Sequence, residues 1–396
     1  MERGETMIDV AVVGGGAAGL CAAIAAAGAG ASVTVFEAAE RVGAKILATG
    51  NGRCNLTNAE LSADDYNQPS FVEPALSLWG PEVVLAWFEE QGLLTALERE
   101  GRVYPLSNSA NSVLDVLRSA CARAGAEVRT SARVERIAPL GRDGGFDIEL
   151  EGGERLRAGS VVVAACTDGA RLLGGCGHEL VPPQPVLGAL ATDTAPIRGL
   201  SGVRVRCRLR LLDGARELFS QEGELLFRDY GISGIVTFNA SRFALPGCTA
   251  EVDLMPSMSE EGLLGLLQAR AAWATSYDEL MQGIFHSQVN RALLRAAGCK
   301  PSMEPAPEGL CKVAHVAKAL RLRVEGPGDP KHAQVTRGGA AVSGFNPGTL
   351  ESLRAPGLFA CGECLDVDGP CGGYNLHWAW ASGLVAGTAA ASSCAV

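Results

Sequence analysis

The chain lacks the marks of several functional classes. It has no Gly-x-Ser-x-Gly elbow, which excludes a serine hydrolase of that kind. Its five histidines and thirteen cysteines never fall at zinc-ligand spacing, so no metal is expected. Positive charge is in deficit: 34 Lys and Arg face 44 Asp and Glu, for a net charge of −10. An extended phosphate-binding face is therefore a poor expectation, and nucleic acid is set aside as a partner. No secretory signal is read in the polar "MERGET". The expectation is a cytoplasmic protein with reduced thiols, in which Asn55-Leu56-Thr57 stays unglycosylated. The apolar run from Ile8 to Ala31 is interrupted by Gly14, Gly15, Gly16 and Gly19 and contains Asp9, so no membrane span is expected. With 47% hydrophobic and 20% charged residues, the 396-residue chain is globular, with room for about two or three domains.

What is present begins with "MIDVAVVGGGAAGLCAAIAAAGAGASVTVFEA". Ile8 to Val13 reads as a buried parallel strand. Gly14-x-Gly16-x-x-Gly19 follows at once and opens an alanine-rich helix that includes Ala18, and a second strand, Ser32 to Phe36, ends in Glu37. Each part does something physical. Gly14 turns the chain, Gly16 lets backbone approach a pyrophosphate, and Gly19 lets helix pack against strand. The helix N-terminus offers N–H groups and positive dipole to the phosphates, and Glu37 would accept hydrogen bonds from the adenosine ribose. These residues leave NAD and FAD equally open.

Further along, Pro81 to Arg99 and Asn111 to Gly125 read as amphipathic helices. Ala126 to Ala165 changes to short alternating strands with "RDGG" and "EGGE" turns, ending in the buried "SVVVAA". "VPPQP" looks like a domain exit. "VRVRCRLRLL" (203–212) alternates apolar and polar residues, as a half-exposed barrel strand does, and that reading accounts for its arginines. Strands are also expected at Glu224–Phe227, Gly234–Asn239 and Glu251–Met255. A capping box at Ser257-x-x-Glu260 would open a helical stretch to about Gly298, followed by a helix from Pro307 to Leu322.

The C-terminal "GLFACGECLDVDGPCGGYNLHWAWASGLVAG" supplies a second strand–loop–helix unit, with Glu363, Asp366 and Asp368 in the loop and glycines before Tyr374. A chain that returns in this way to its Rossmann unit suits FAD better than NAD. Glu363 would hold the ribityl or phosphate region, and N–H groups near Gly373 to Asn375 would face flavin N1 and O2, where negative charge gathers on reduction.

Together with "RVGAKILATGNGRCNLTN", "YPLSNSANSVLDVL", "LLFRDYGISG" and "VTRGGAAV", these segments resemble the BaiN/YhiN family of NAD(P)/FAD-dependent oxidoreductases across essentially the whole chain. The resemblance implies an α/β fold: a Rossmann-like FAD domain built from both chain ends, an inserted β-barrel, and a helical insertion within the barrel. The expected parts are 1–187 and 346–396 for the FAD domain, 188–256 and 323–345 for the barrel, and 257–322 for the helical insert. It also gives "GNGRCNLTN" (50–58) a role, with Gly52, Arg53, Asn55 and backbone amides lining the flavin and substrate space. Cofactor contacts are implied for Gly14, Gly16, Ala18, Gly19, Glu37, Lys45, Gly52, Arg53, Val134, Gly362, Glu363, Asp366, Gly373, Tyr374 and Asn375.

The chain departs from this pattern in places. "CTDGARLLGGCGH" (166–178) is short where relatives usually carry a longer loop, and His377 stands where they often have glutamine. Cys361-x-x-Cys364 invites a redox reading but lies at a strand end, where thiolate stabilisation is missing, so two small buried cysteines are expected. The favoured reaction is hydride transfer from FAD to a C=C bond conjugated to a ketone in a steroid or bile-acid-like substrate. Arg53 and Asn55 would polarise the carbonyl, and Tyr374 would give the proton. Oxidation of a small amine such as aminoacetone, with oxygen as acceptor, is the alternative, and a flavin redox sensor is a third reading. With one GxGxxG in the chain, NAD(P)H would act as a transient reductant in the substrate cleft, unless an electron-donor protein supplies the electrons.

Overall fold

The computed structural model describes residues 7–141 and 144–394. Arg142 and Asp143 of the expected "RDGG" turn lie outside them. The chain divides into two compact units, Met1–Gln184 with Val335–Val396, and Pro185–Gln334.

In the first unit, the β-branched runs Ile8–Val13 and Val33–Phe36 form adjacent parallel strands, paired Val13 to Phe36. The sheet continues in parallel to Glu127–Arg129 on one side and to Arg155–Val163 on the other. Arg155–Val163 works in two halves. Its first half pairs antiparallel with Phe146–Leu150, which pairs in turn with Val134–Pro139, while its last residues pair in parallel with Leu358–Ala360. Glu127–Arg129 thus joins the parallel sheet and not the expected meander, because it follows the helix Ala110–Ala124 as the return strand of a crossover.

Helix Ala17–Gly28 covers this sheet and packs against the long C-terminal helix Tyr374–Cys394. The contact is close because of two glycines one turn apart. A Cβ on Gly383 would lie 2.3 Å from the Ala18 carbonyl oxygen, and one on Gly387 would lie 2.2 Å from that of Ala22. Trp378 and Trp380 are fully buried in the same core.

The second unit is a closed antiparallel barrel of six strands: Leu190–Thr192, Gly231–Ser233, Arg216–Arg228, Arg204–Asp213, Thr249–Asp253 and Leu320–Pro327. The expected alternation of Arg204–Asp213 is present, with Cys207, Leu209 and Leu211 buried and the arginines facing out. Helices Glu260–Ala271, Tyr277–Met281, Ser287–Ala296 and Pro307–Lys318 share one core with the barrel, Leu263, Leu293 and Leu310 packing in the same cluster as Leu209 and Val252.

Several expected elements differ. Gly234–Asn239 is not a strand. Gly234, at φ 96°, ends the short strand before it, and Ile235–Ser241 turns into a helix with Thr237 Oγ1 donating back to the Ser233 carbonyl. The helix after the barrel is capped by Ser259, whose Oγ accepts from Gly262 N, and not by Ser257. The helix from Pro81 stops at Glu90, where "QGL" gives way to the strand Thr95–Leu97. The last helix of the second unit ends at Lys318, so Leu320 and Leu322 are barrel residues. The return to the first unit comes at Val335, earlier than 346: Val335–Ala340 pairs with Leu180–Val186 outside the barrel.

Candidate cofactor and substrate site

The carboxyl ends of parallel strands are where an open α/β sheet binds ligands. The register here aligns Phe36, Val13, Val163 and Ala360 at one level. The residues just beyond them, Glu37, Gly14 to Gly16, Cys166, and Gly362 with Glu363, therefore share one edge of the sheet. Sequence reasoning named Gly14, Gly16, Glu37, Gly362 and Glu363 as cofactor contacts but neither Gly15 nor Cys166, the second of which strand order alone could have placed there.

The fingerprint glycines divide by environment. Gly14 turns the chain at φ 105°. A Cβ on Gly19 would lie 1.8 Å from the Gly14 carbonyl oxygen, whereas one on Gly16 would meet nothing within 4 Å. Gly16 is also the N-cap of helix Ala17–Gly28 and carries no side-chain cap. An open space at an uncapped helix N-terminus fits a pyrophosphate. Beside it, Glu37 accepts from Gly15 N at 2.7 Å and from Ala39 N at 2.8 Å, which fixes its carboxylate against the glycine turn. Val134 begins the strand just after Ala132, whose N–H donates to the Glu37 carbonyl.

Lys45 Nζ donates to Glu363 Oε2 at 2.8 Å and lies 3.4 Å from Cys166 Sγ. The Cys166 thiol is itself 3.4 Å from Glu363 Oε2. Burial and the Glu363 carboxylate push that thiol up to about 11, against the pull of Lys45. The three side chains thus form one cluster at the strand ends. Gly362 comes close to the first helix, where its Cβ would lie 2.9 Å from that of Ala18.

The loop 50–58 turns through left-handed backbone at Asn51 and Cys54 as well as at Gly50 and Gly52. Leu56 is its fully buried anchor, and its carbonyl accepts from Trp380 Nε1 at 2.9 Å. Asn55 is buried, and its Oδ1 has no hydrogen-bond partner among the described residues. A buried acceptor of this kind suits a group that carries an N–H, as a flavin ring does. Arg53 has partners within the chain. Its guanidinium bonds Glu98 and Asn108 and lies over the Tyr104 ring, 3.9 Å from the centroid, so it braces the loop.

The loop meets the C-terminal helix at Gly373, where a Cβ would lie 2.5 Å from the Thr57 carbonyl. The first-turn N–H groups of that helix, beginning at Tyr374, have no intrahelical acceptor by position. Tyr374 packs edge-on to Tyr66, whose hydroxyl donates to the Tyr374 carbonyl at 2.8 Å. Burial, helped by Asp65 and Glu60 and opposed by Arg102, pushes the Tyr374 hydroxyl up to about 12. The Asn375 side chain clamps the Gly369–Pro370 turn. Asp366 accepts from Gly338 N at 3.1 Å and from Gln68, while Asp368 forms a bidentate pair with Arg337. Both acids therefore brace the loop that follows Glu363.

Among the described residues, no helix is long and apolar enough to cross a membrane. The family model described as HI0933-like protein Rossmann domain matches residues 8–389. The chain is 36% identical to a 3-dehydro-bile acid delta(4,6)-reductase of Clostridium scindens, over 97% of this chain and 99% of that protein. It is also similar to the ribosomal RNA dihydrouridine synthase of Haemophilus influenzae, at 27% identity over 94% of this chain and 95% of that one. The corresponding protein of Escherichia coli is 25% identical, over 96% of each.

Proposed function

The chain belongs to the HI0933-like Rossmann family and is an FAD-dependent oxidoreductase, and on that premise we propose that it reduces a C=C bond conjugated to a ketone in an apolar, steroid-like substrate. The observation that carries the substrate class is the whole-length likeness to a bile acid delta(4,6)-reductase. Gly14 to Gly16, Glu37, Lys45, Gly362 and Glu363 would hold FAD, with Asn55 and the N-terminus of the Tyr374 helix at its ring. When bound, FAD supplies the hydride from N5. The chain must then polarise the ketone and deliver a proton to the α-carbon. Tyr374 keeps its hydroxyl proton across the physiological range, as a proton donor requires. Asn55, with Oδ1 toward a flavin N–H, would turn its Nδ2 donor to the carbonyl, since Arg53 is held by Glu98 and Asn108. NAD(P)H is proposed as a transient reductant, with an electron-donor protein as the other source.

A second reading is favoured by the two relatives named as ribosomal RNA dihydrouridine synthases. A uracil ring also presents a C=C bond conjugated to a carbonyl, so the same chemistry would serve. Three of the four outward arginines of the barrel strand argue for the small molecule. Arg208 pairs with Glu222 at 2.6 Å, Arg210 with Glu217 and Glu251, and Arg204 with Glu224. Paired this way, they offer little net charge to a phosphate backbone.

The test is an anaerobic screen. Chemically reduced holoenzyme is mixed with steroid enones or with uridine-containing ribosomal RNA, and oxidised holoenzyme with aminoacetone. Flavin reoxidation by an enone, with a saturated ketone as product, is expected. Reoxidation by RNA alone, or reduction by the amine with peroxide formed in air, would overturn the proposal.

A further inference from the structure

A cavity of about 540 Å³ lies beside the cofactor edge, within the first unit. Cys166 and Glu363 belong to its wall and also to the Lys45 cluster, so cavity and cofactor edge share a boundary. Cys166, Thr167, Ala170, Arg171 and Gly174 line it from helix Cys166–Gly175. Their spacing places them along one side of that helix, over roughly 12 Å at the usual rise per residue. Leu180, Val181 and the two prolines that follow complete a largely apolar wall.

The charges in this wall are unequal. Glu363 is paired with Lys45 at 2.8 Å. Arg171 donates to the carbonyls of Glu135, at 3.0 Å, and Val134, and forms no ion pair among the described residues. An apolar chamber with one uncompensated guanidinium, in a chain of net charge −10, selects an apolar body that carries an anion.

We propose that this cavity binds the apolar frame of the substrate and that Arg171 holds a carboxylate at the end away from Glu363. The inference deepens the enone reading and takes the rigid apolar frame from it, but its test is a binding measurement that needs no turnover. The probes are a saturated keto steroid with a side-chain carboxylate and the methyl ester of the same molecule. Each is titrated into oxidised holoenzyme by calorimetry, and flavin content is measured after heat release.

The acid is expected to bind wild type more tightly than the ester. Arg171→Gln should weaken the acid roughly tenfold or more, as loss of a charge-assisted contact implies, while leaving the ester and the flavin content unchanged. Arg171→Lys should recover part of the loss. Ala170→Trp, which fills the chamber, should abolish binding of both probes with flavin retained. Equal binding of acid and ester to wild type, binding of neither, or an equal effect of Arg171→Gln on both would overturn the proposal. So would loss of FAD from Arg171→Gln, which would assign the arginine to the cofactor. If the acid binds as expected but no enone reoxidises the flavin, the reaction assignment fails and the cavity assignment stands.

Discussion

Thr57 Oγ1 lies 2.8 Å from His377 Nδ1, and the opposite ring nitrogen, Nε2, lies 2.9 Å from the Trp79 carbonyl oxygen. A carbonyl only accepts, so Nε2 carries the ring proton and the Thr57 hydroxyl donates to Nδ1. The neutral imidazole thus ties the loop 50–58 to the C-terminal helix. Burial lowers its pKa from 6.5 to about 4, although the Trp79 bond works in the other direction. An unfolded chain takes up this proton near pH 6.5, and the folded chain only near pH 4. Stability is therefore whole above the upper value and falls as pH drops through the window, by about 3 kcal/mol in all. Urea-unfolding midpoints across that range should show the slope, and His377→Gln should flatten it. An unchanged slope in the variant would refute the assignment.

Gly16→Val should abolish flavin binding. The side chain would enter the only open space among the three fingerprint glycines Gly14, Gly16 and Gly19. The variant should purify colourless with its fold intact by circular dichroism. A yellow variant with full FAD would show that the pyrophosphate lies elsewhere.

Replacing Cys361 and Cys364 together by alanine should leave flavin reduction and turnover within about twofold, the range expected for small buried side chains. Both residues are fully buried, no disulfide joins them, and burial pushes both thiols up. Cys364 Sγ donates to the carbonyls of Val163 and Cys361. A loss of turnover at normal FAD content would revive the redox-sensor reading.

Tyr374→Phe should lower enone turnover by about 10²–10⁴, the usual contribution of a positioned proton donor, with FAD content unchanged. Wild-type turnover in the variant would remove Tyr374 from the reaction and leave it as packing against Tyr66.

The Rossmann half was legible because its signals are local. Strand, glycine turn, helix and terminal acid follow one another within about 30 residues, the length of one such unit. The arginine strand of the barrel was legible from alternation alone. What escaped depended on partners far away in sequence. The partners of Arg53, Glu98 and Asn108, come from 45 and 55 residues further along the chain and left no local signal. Ile235–Ser241 carries a β-rich composition, yet packing made it a helix, because Gly234 breaks the strand first. The cavity had no signature, since its walls come from three separated stretches of chain.

The contact of Gly383 and Gly387 with the first helix has a consequence for biosynthesis. Cys394 Sγ and the Asp9 carbonyl, 3.1 Å apart in space, are 385 residues apart in sequence. A chain leaving the ribosome exposes the alanine-rich helix long before its glycine-bearing partner exists. The barrel unit, contiguous from 185 to 334, can meanwhile close on its own. The nascent first half therefore carries an apolar helix face that stays uncovered until the last helix is made, the kind of exposed surface that favours aggregation during folding.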